Sequence, residues 1–341
     1  MFRIDLRAAL RVAAVPVVLA CFPPHLHAQV PAAVAASNRA TGGHMSLAEA
    51  LRLYAQQEER APYRGVRVER DVRYGPDAHQ RLDLFMPQAS IGPKVAAAAP
   101  SDLRPVVMFA APEADTRASL GSARRAYDNV ALWAARQGLI GVTMHRRDDG
   151  AYRPGGPQDF AAAIAWMQMH LRHLGADPRR LVVIGAGLGG TQLLHYLAHH
   201  EYWCCQGPGV AAAVLLGAPL NLAPLVPAGK AVVGHSHPMA TATPAPAALM
   251  DPAHSDLSGL DAVYAPVFIG VPQYQDDVAQ RSATILQQEL CRRGRCPTVR
   301  YLSEHSVISA VLSLDTADQS VSRQLLAWMA QQQTGFTGPR R

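Results

Sequence analysis

The chain alternates between short apolar runs and stretches in which apolar residues recur with a helical period. The apolar runs have the length and the β-branched content of buried strands, and they occupy residues 106–110, 139–144, 181–184, 211–216 and 267–271. The helical period predicts helices over residues 119–137, 158–174, 189–200, 278–293 and 319–331. A last strand, residues 298–302, precedes the final helix. This alternation is typical of a parallel sheet with helices on both faces.

The segments around this core differ in pattern. Residues 66–73 and 81–86 are extended and flank Gly75-Pro76-Asp77, which predicts an antiparallel hairpin before the parallel strands. A helix is predicted over residues 47–59, whereas residues 29–44 have no apolar period and are expected to be a loose leader. We therefore predict an α/β fold with one mixed, mostly parallel sheet in a domain at 61–335, preceded by a leader and helix at 29–60 and followed by a tail at 336–341.

Two further segments stand out by composition. Residues 221–265 are rich in Pro and Ala and are interpreted as a cap insertion over the carboxyl ends of the strands, where such sheets bind ligands. Residues 1–28 have basic residues before an apolar run and a small residue at Ala28, which is typical of a secretory signal. A buried helix is the alternative, but prolines would interrupt it. A looser pattern ending at Cys21 indicates a lipoprotein instead. We expect a periplasmic or secreted protein, with membrane attachment only if Cys21 is lipidated.

The overall composition adds little to this picture. With 341 residues, 49% of them hydrophobic, and a formal charge of +6, the chain is an ordinary globular sequence that needs no nucleic-acid partner. Either processing site takes Cys21 out of the thiol pool and leaves four cysteines, an even number suited to an oxidising compartment: Cys204, Cys205, Cys291 and Cys296. We predict a Cys291–Cys296 disulfide, since Gly294 ends a helix and the turn brings the two side chains together.

The turn after residues 181–184 reads Gly185-Ala186-Gly187-Leu188-Gly189-Gly190 and leads into a helix. It resembles the Gly-x-Ser-x-Gly elbow that carries a nucleophile, with Gly187 at the centre. The same residues match the Gly-x-Gly-x-x-Gly pattern of dinucleotide sites. That alternative is disfavoured because the turn does not follow the first apolar strand and no acidic residue ends residues 211–216. We expect no cofactor.

From about Asp71 to Met329 the sequence resembles the carboxylesterase and acetyl-esterase branch of the α/β-hydrolase superfamily. The phrases that carry the resemblance are Tyr74-Gly75, Leu82-Asp83-Leu84-Phe85-Met86-Pro87, and Asp177-Pro178-Arg179-Arg180-Leu181 before the elbow. The resemblance implies the α/β-hydrolase fold, with an N-terminal antiparallel hairpin, helices on both faces and a small cap. It also implies positions for a serine, an acid, a histidine and an oxyanion loop.

At each of these positions the sequence departs from the family. Gly187 replaces the serine, Gln273 stands where Gly-x-x-Asp places the acid, and Val307 stands where the histidine belongs. The family's His-Gly-Gly-Gly oxyanion loop is replaced by Ala111, Pro112, Glu113 and Ala114. Proline has no amide proton and a carboxylate repels an oxyanion, so this loop is unsuited to the task. The catalytic triad is therefore predicted to be degenerate.

Other residues offer chemistry in less convincing patterns. Asp276 and Asp277 would serve as the acid if the loop were remodelled, but they also suit the start of a helix, which we favour. His305 lies two residues before the base position. Ser236, Cys204 and Cys205 are alternative nucleophiles that lack the expected neighbours. His195 and His199 have the spacing of metal ligands, but we favour a surface helix end and expect no metal site.

The sequence thus predicts an exported esterase homologue without catalysis, whose partner is a small apolar or acyl ligand or another protein. Whether it is an enzyme stays open, and the residues favour that it is not. The alternative is a carboxylic-ester hydrolase whose chemistry is rerouted through Ser236, a cysteine or a metal.

Overall fold

The computed structural model describes residues 30–57, 59–88, 103–112, 125–147, 155–204, 206–220 and 258–335. Several predictions fall outside the described residues. These are the signal at residues 1–28 with Cys21, the residues Glu113, Ala114, Cys205 and Ser236, most of the cap, and the tail. In the described part of the chain no helix is long and apolar enough to cross a membrane.

In the described part of the chain, an eight-stranded mixed sheet forms the centre, in the order β1-β2-β4-β3-β5-β6-β7-β8. Both pairings of β2 are antiparallel and all the others are parallel. This confirms the predicted hairpin ahead of a parallel sheet. The strands are β1 Val66–Arg73, β2 Arg81–Pro87, β3 Arg104–Ala110, β4 Ile140–His145, β5 Ala176–Ala186, β6 Ala212–Leu216, β7 Val267–Tyr274 and β8 Thr298–Ser306.

Helices cover both faces of the sheet. They are α1 Ala32–Thr41, α2 Leu47–Tyr54, α3 Asp128–Arg136, α4 Gly155–His170, α5 Leu188–Ala198, α6 Asp277–Arg292, α7 Val307–Leu312 and α8 Ser322–Gly335. One core lies between the sheet and α4, α5 and α6, and the other lies under α1, α2, α3, α7 and α8. Along β3, Val106 and Met108 face the first core while Val107 and Phe109 face the second. Because both faces of the parallel strands are buried, their sequences are continuous apolar runs.

The prediction of a loose leader over residues 29–44 is wrong, because α1 lies there. Val34 and Asn38 of this helix are fully buried, and the Asn38 side-chain amide donates to the carbonyl oxygen of Glu304 in β8 over 2.8 Å. The contact with β8 stabilises a helix whose own sequence has little amphipathic character.

The predicted helix over residues 119–137 begins at Asp128 in the described part of the chain, and residues 125–127 before it are not helical. The short helix α7 was not predicted. Ser306 and Ser309 form a reciprocal capping box at its start, which satisfies two of the backbone amides that a helix leaves unpaired.

Cys291 and Cys296 form a disulfide, with Cα atoms 4.0 Å apart, as the sequence predicted. The bond closes the turn between the end of α6 and the segment that leads into β8.

A buried ionic network joins the hairpin to α3. The Arg70 guanidinium contacts Asp83 at 2.8 Å and Asp128 at 2.6 Å, and Arg125 contacts both oxygens of Asp83 at 2.6 Å. Burial by itself would raise the pKa of Asp83, but the hydrogen bond from His145 and the charges of His145 and Arg125 outweigh it and hold the pKa well below its usual range. The network therefore keeps Asp83 ionised in the interior.

Candidate functional site at the strand-to-helix elbow

The sharp turn between β5 and α5 consists of one residue, Gly187. Its φ of 51° and ψ of −126° belong to a region that side-chain-bearing residues adopt only under strain. The Gly187 amide donates to the carbonyl oxygen of Leu216 at the end of β6 over 2.9 Å. A strained strand-to-helix turn of this kind exposes the serine of α/β hydrolases. The chain thus keeps the turn, while its central residue has no side chain.

The flanking glycines are required by close packing of the backbone. A Cβ on Gly185 would lie 2.6 Å from the Cα of Gly190, and a Cβ on Gly189 would lie 2.4 Å from the carbonyl oxygen of Ala110 in β3. Real Cβ atoms do not approach other atoms this closely, so α5 can begin here only on glycines. The glycines at 185 and 189 are therefore explained by close packing of α5 against the carboxyl edge of the sheet.

The loop after β3 lies directly against the elbow. A Cβ at position 187 would be 3.1 Å from the Cβ of Pro112, which is tight even for well-packed atoms. Ala111 is buried, and its carbonyl oxygen accepts a hydrogen bond of 2.8 Å from the buried guanidinium of Arg146. Glu113 and Ala114 lie outside the described residues. The described half of the predicted oxyanion loop thus places a proline ring beside the space where a nucleophile would stand.

Gln273 points towards β8. Its side-chain oxygen accepts a 2.7 Å hydrogen bond from the backbone amide of Glu304, a residue with a φ of 62°. The Asn38 side-chain amide donates a hydrogen bond to the carbonyl oxygen of Glu304. Gln273 therefore helps to fix an unusual backbone conformation at the end of β8, which is a structural role.

Gln275 and Val307 both lie close to Gly217. A Cβ added to Gly217, at the end of β6, would lie 2.4 Å from a methyl carbon of Val307 and 2.9 Å from the side-chain oxygen of Gln275. Both polar atoms of the Gln275 side chain are buried and have no hydrogen-bond partner among the described residues. No signal in the sequence indicated Gln275, because the Gly-x-x-Asp spacing from Gly270 points to Gln273 and the apolar run predicted a strand that ends at residue 271. In the structure β7 extends to Tyr274.

Of two cavities in the described part of the chain, one is small and the other is distant from the elbow. A void of about 10 Å³ beside Gln275 is lined by Gly217, Ala218 and the apolar face of α6, and has room for about one water molecule. A hollow of about 530 Å³ lies between Glu59, Arg64 and Arg136. Because Arg136 ends α3 shortly before β4 begins, this hollow lies at the opposite, amino edge of the sheet.

The two aspartates after β7 begin a helix, as the sequence favoured. Asp276 is the N-cap of α6, and its carboxylate accepts a 2.7 Å hydrogen bond from the amide of Ala279. Asp277 is the first residue of that helix. A carboxylate in this position is stabilised by the helix dipole and by the unpaired amides of the first turn.

His305 is buried among residues of the neighbouring helices. Its Nε2 atom lies 2.8 Å from the Ser320 hydroxyl and 3.5 Å from Asp318, and its Nδ1 atom lies 3.2 Å from the Ser309 hydroxyl. Burial lowers the pKa of His305, while the negative charges of Asp318 and Glu304 oppose the shift. These partners belong to α7 and to the segment before α8, so His305 links these elements to β8.

The histidines at the end of α5 contact each other rather than converge on one point. The rings of His195 and His199 stack with centroids 4.2 Å apart. His199 also contacts Glu201 at 3.1 Å and Ser258 at 3.3 Å. Within the described ranges no group of three or more His, Cys, Asp or Glu side chains is arranged to hold a metal ion. Cys204 is exposed at the surface nearby.

Solved esterase structures share this architecture. Esterase B from Lactobacillus rhamnosis has a TM-score of 0.57 and 15% identity, over 89% of this chain and 96% of that chain. An esterase from Pyrobaculum calidifontis has a TM-score of 0.57 and 16% identity, over 89% and 94%. Esterase 2 of Thermogutta terrifontis, in a structure phosphorylated by paraoxon, has a TM-score of 0.53 and 17% identity, over 83% and 100%.

By sequence, no family model and no curated protein matches the chain. The structural likeness extends over most of both chains, and identities this low establish the fold alone. Together with the order of the sheet and the elbow after β5, these comparisons show that the protein has the α/β-hydrolase fold.

Proposed function

We propose that this protein is an exported member of the α/β-hydrolase fold that binds a ligand or a protein without hydrolysing an ester. The observation that carries the proposal is the elbow centre, where Gly187 has no side chain and Pro112 lies against the adjacent space. Covalent acyl transfer requires an oxygen or sulfur nucleophile at that point.

The residues beside the elbow support the same conclusion. Val307, which the resemblance assigns to the base position, lies with Gln275 near the end of β6, and Gln273 in β7 stands at the acid position. A carboxamide and an isopropyl group do not accept a proton at neutral pH, so neither can activate a nucleophile. The loss of the nucleophile, the acid and the base in one region argues more strongly than any single replacement.

A binding role agrees with what is kept at the carboxyl edge of the sheet. The exposed side chain of Leu188, 38% accessible, and the ring of Pro112 give this edge an apolar character. The cap expected at residues 221–265 would cover the same edge. We infer a small apolar or acyl ligand, or a protein surface, as the partner.

Export is supported by the N-terminal pattern and by the Cys291–Cys296 disulfide, because disulfides persist in oxidising compartments. Cleavage after Ala28 would release the protein to the periplasm or the medium. Lipidation of Cys21 would instead anchor it to a membrane.

Ester hydrolysis and phosphorylation by paraoxon test the proposal. The purified mature protein is incubated with a short-chain aryl ester and, separately, with paraoxon, with the Thermogutta esterase as positive control. We expect no turnover above that of buffer and no increase in the intact mass. Rapid turnover, or a phosphorylated residue located by peptide mapping, would show that the protein is a hydrolase.

The alternative is ester hydrolysis through a relocated nucleophile, and it is favoured by the esterase identity of the similar structures. It predicts turnover that is lost in Ser236→Ala, in a Cys204→Ser or Cys205→Ser variant, or after treatment with a chelator. If the three variants and the chelator-treated protein all hydrolyse the ester at the rate of the unmodified protein, none of these residues is the nucleophile, no bound metal takes part, and the alternative is wrong.

A further inference from the structure

The Cys291–Cys296 disulfide lies at the surface in a strongly basic segment. Cys296 is exposed and Cys291 is half-buried in the last turn of α6. The residues between them, Arg292-Arg293-Gly294-Arg295, contribute three guanidinium groups and no carboxylate. Because Cys296 is exposed, we infer that a thiol in solution reaches its side chain without unfolding of the chain.

The local charge is positive even after ion pairing. Arg292 and Arg293 share the carboxylate of Glu289, and Arg293 also contacts Asp261 at 2.8 Å. Arg295 donates to the backbone carbonyl oxygens of Asp261 and Val263, which carry no net charge. Two carboxylates thus face three guanidinium groups in the described surroundings, and the Arg292 side chain is 68% exposed.

The short loop also limits what the bond contributes to folding. The two cysteines are separated by five positions, and a cross-link restricts the unfolded chain less when the loop that it closes is short. We therefore expect the protein to stay folded when this bond opens, which an exchange site requires.

We propose that the Cys291–Cys296 disulfide is an exchange site that forms mixed disulfides preferentially with anionic thiols. A thiolate attacks the Sγ atom of the exposed Cys296 and forms a new S–S bond, while the bond to Cys291 breaks and Cys291 leaves as a thiolate with the electron pair. The carboxyl end of α6 disfavours a negative charge at Cys291, and the flanking Arg292 and Arg293 counter it. The same positive charge concentrates anionic thiols at the site.

The test compares thiols of different charge on the oxidised full-length protein. Mercaptosuccinate is anionic, 2-mercaptoethanol is neutral and cysteamine is cationic. The mixed disulfide at Cys296 is trapped with iodoacetamide and quantified by peptide mass spectrometry, which separates it from Cys204 and Cys205. Each rate is divided by the rate of the same thiol with a neutral linear disulfide, to remove differences in nucleophilicity. We expect the corrected rate to be about tenfold higher for mercaptosuccinate than for cysteamine.

Two variants locate the cause of this preference. Arg292→Gln is expected to lower the ratio by about two- to fourfold, and high salt is expected to lower it in the unmodified protein. Arg179→Gln is the matched control, since Arg179 is 66% exposed, pairs with one carboxylate, and lies at the start of β5, three strands from β8. Equal corrected rates for the three thiols, a disulfide that stays closed while the protein is folded, or an equal effect of both variants would overturn the proposal.

Discussion

At the scale of single residues, the serine at the elbow of α/β hydrolases has two roles: its backbone makes the turn, and its side chain supplies the nucleophile. Here the turn is kept, with a φ of 51°, and a glycine adopts it without the strain that a side chain adds. Glycine at this position thus avoids a backbone strain that lowers the folding stability of hydrolases, in which the strained residue carries the nucleophile.

A side chain at this position should therefore destabilise the protein. We predict that Gly187→Ala lowers the free energy of unfolding by about 2 kcal/mol, because of backbone strain and the contact with Pro112. Urea denaturation measures the change. Gly42→Ala is the control: Gly42 has a φ of 59° in the ordinary left-handed region with no atom near its added Cβ, so its cost is about 1 kcal/mol. If both variants lose the same stability, the elbow is not unusually strained.

At the scale of elements, the end of β8 is the point where several helices are joined. Asn38 of α1 donates to Glu304 and to the Ser309 hydroxyl of α7, and that hydroxyl contacts His305. His305 in turn contacts Ser320 before α8. The histidine that the sequence offered as a displaced base is used to connect these elements.

This junction gives a pH dependence of stability. Burial lowers the pKa of His305 below 6.5, so the folded protein keeps the ring neutral while the unfolded chain takes up a proton below that pH. The contribution of His305 is present above pH 6.5 and is lost as the pH falls below it, with a slope of at most about 1.4 kcal/mol per pH unit.

The measurement is chemical denaturation of the unmodified protein and of His305→Gln between about pH 7.5 and 5. The difference in unfolding free energy between the two proteins should shrink as the pH falls. A difference that stays constant over this range would mean that His305 does not change its protonation on unfolding.

At the scale of the whole molecule, the hairpin and the parallel sheet are joined by polar as well as apolar contacts. Asp83 on β2 lies between Arg70 of β1 and Arg125 before α3, and it also contacts His145 at the end of β4. Its side chain is fully buried, so the ionic contacts replace hydration that the interior does not provide.

Removing this one charge should affect the whole fold. We predict that Asp83→Asn lowers the free energy of unfolding by about 3 kcal/mol, because the partly buried guanidinium groups of Arg70 and Arg125 each lose one of their two carboxylate partners. Asp261→Asn is the matched control, since Asp261 is 86% exposed and also pairs with an arginine, and it should cost less than about 1 kcal/mol. Losses of similar size would show that the buried network contributes no more than a surface pair.

The sequence by itself determined the parts of this protein that depend on local pattern. The apolar runs fixed the strands of the sheet, the glycines after β5 fixed the elbow, and the spacing of Cys291 and Cys296 allowed their disulfide. The absence of a serine at position 187 needs no structure to be known. In each case the information lies within a few neighbouring residues.

Only the tertiary structure decided the features that depend on distant partners. Helix α1 forms because Val34 and Asn38 are buried against the rest of the fold, and His305 is placed by hydroxyls from other elements. Gln275 lies beside Val307 because β7 extends further than the spacing of the sequence suggested. Burial and hydrogen bonding between residues far apart in the chain set these positions, and no local pattern records them.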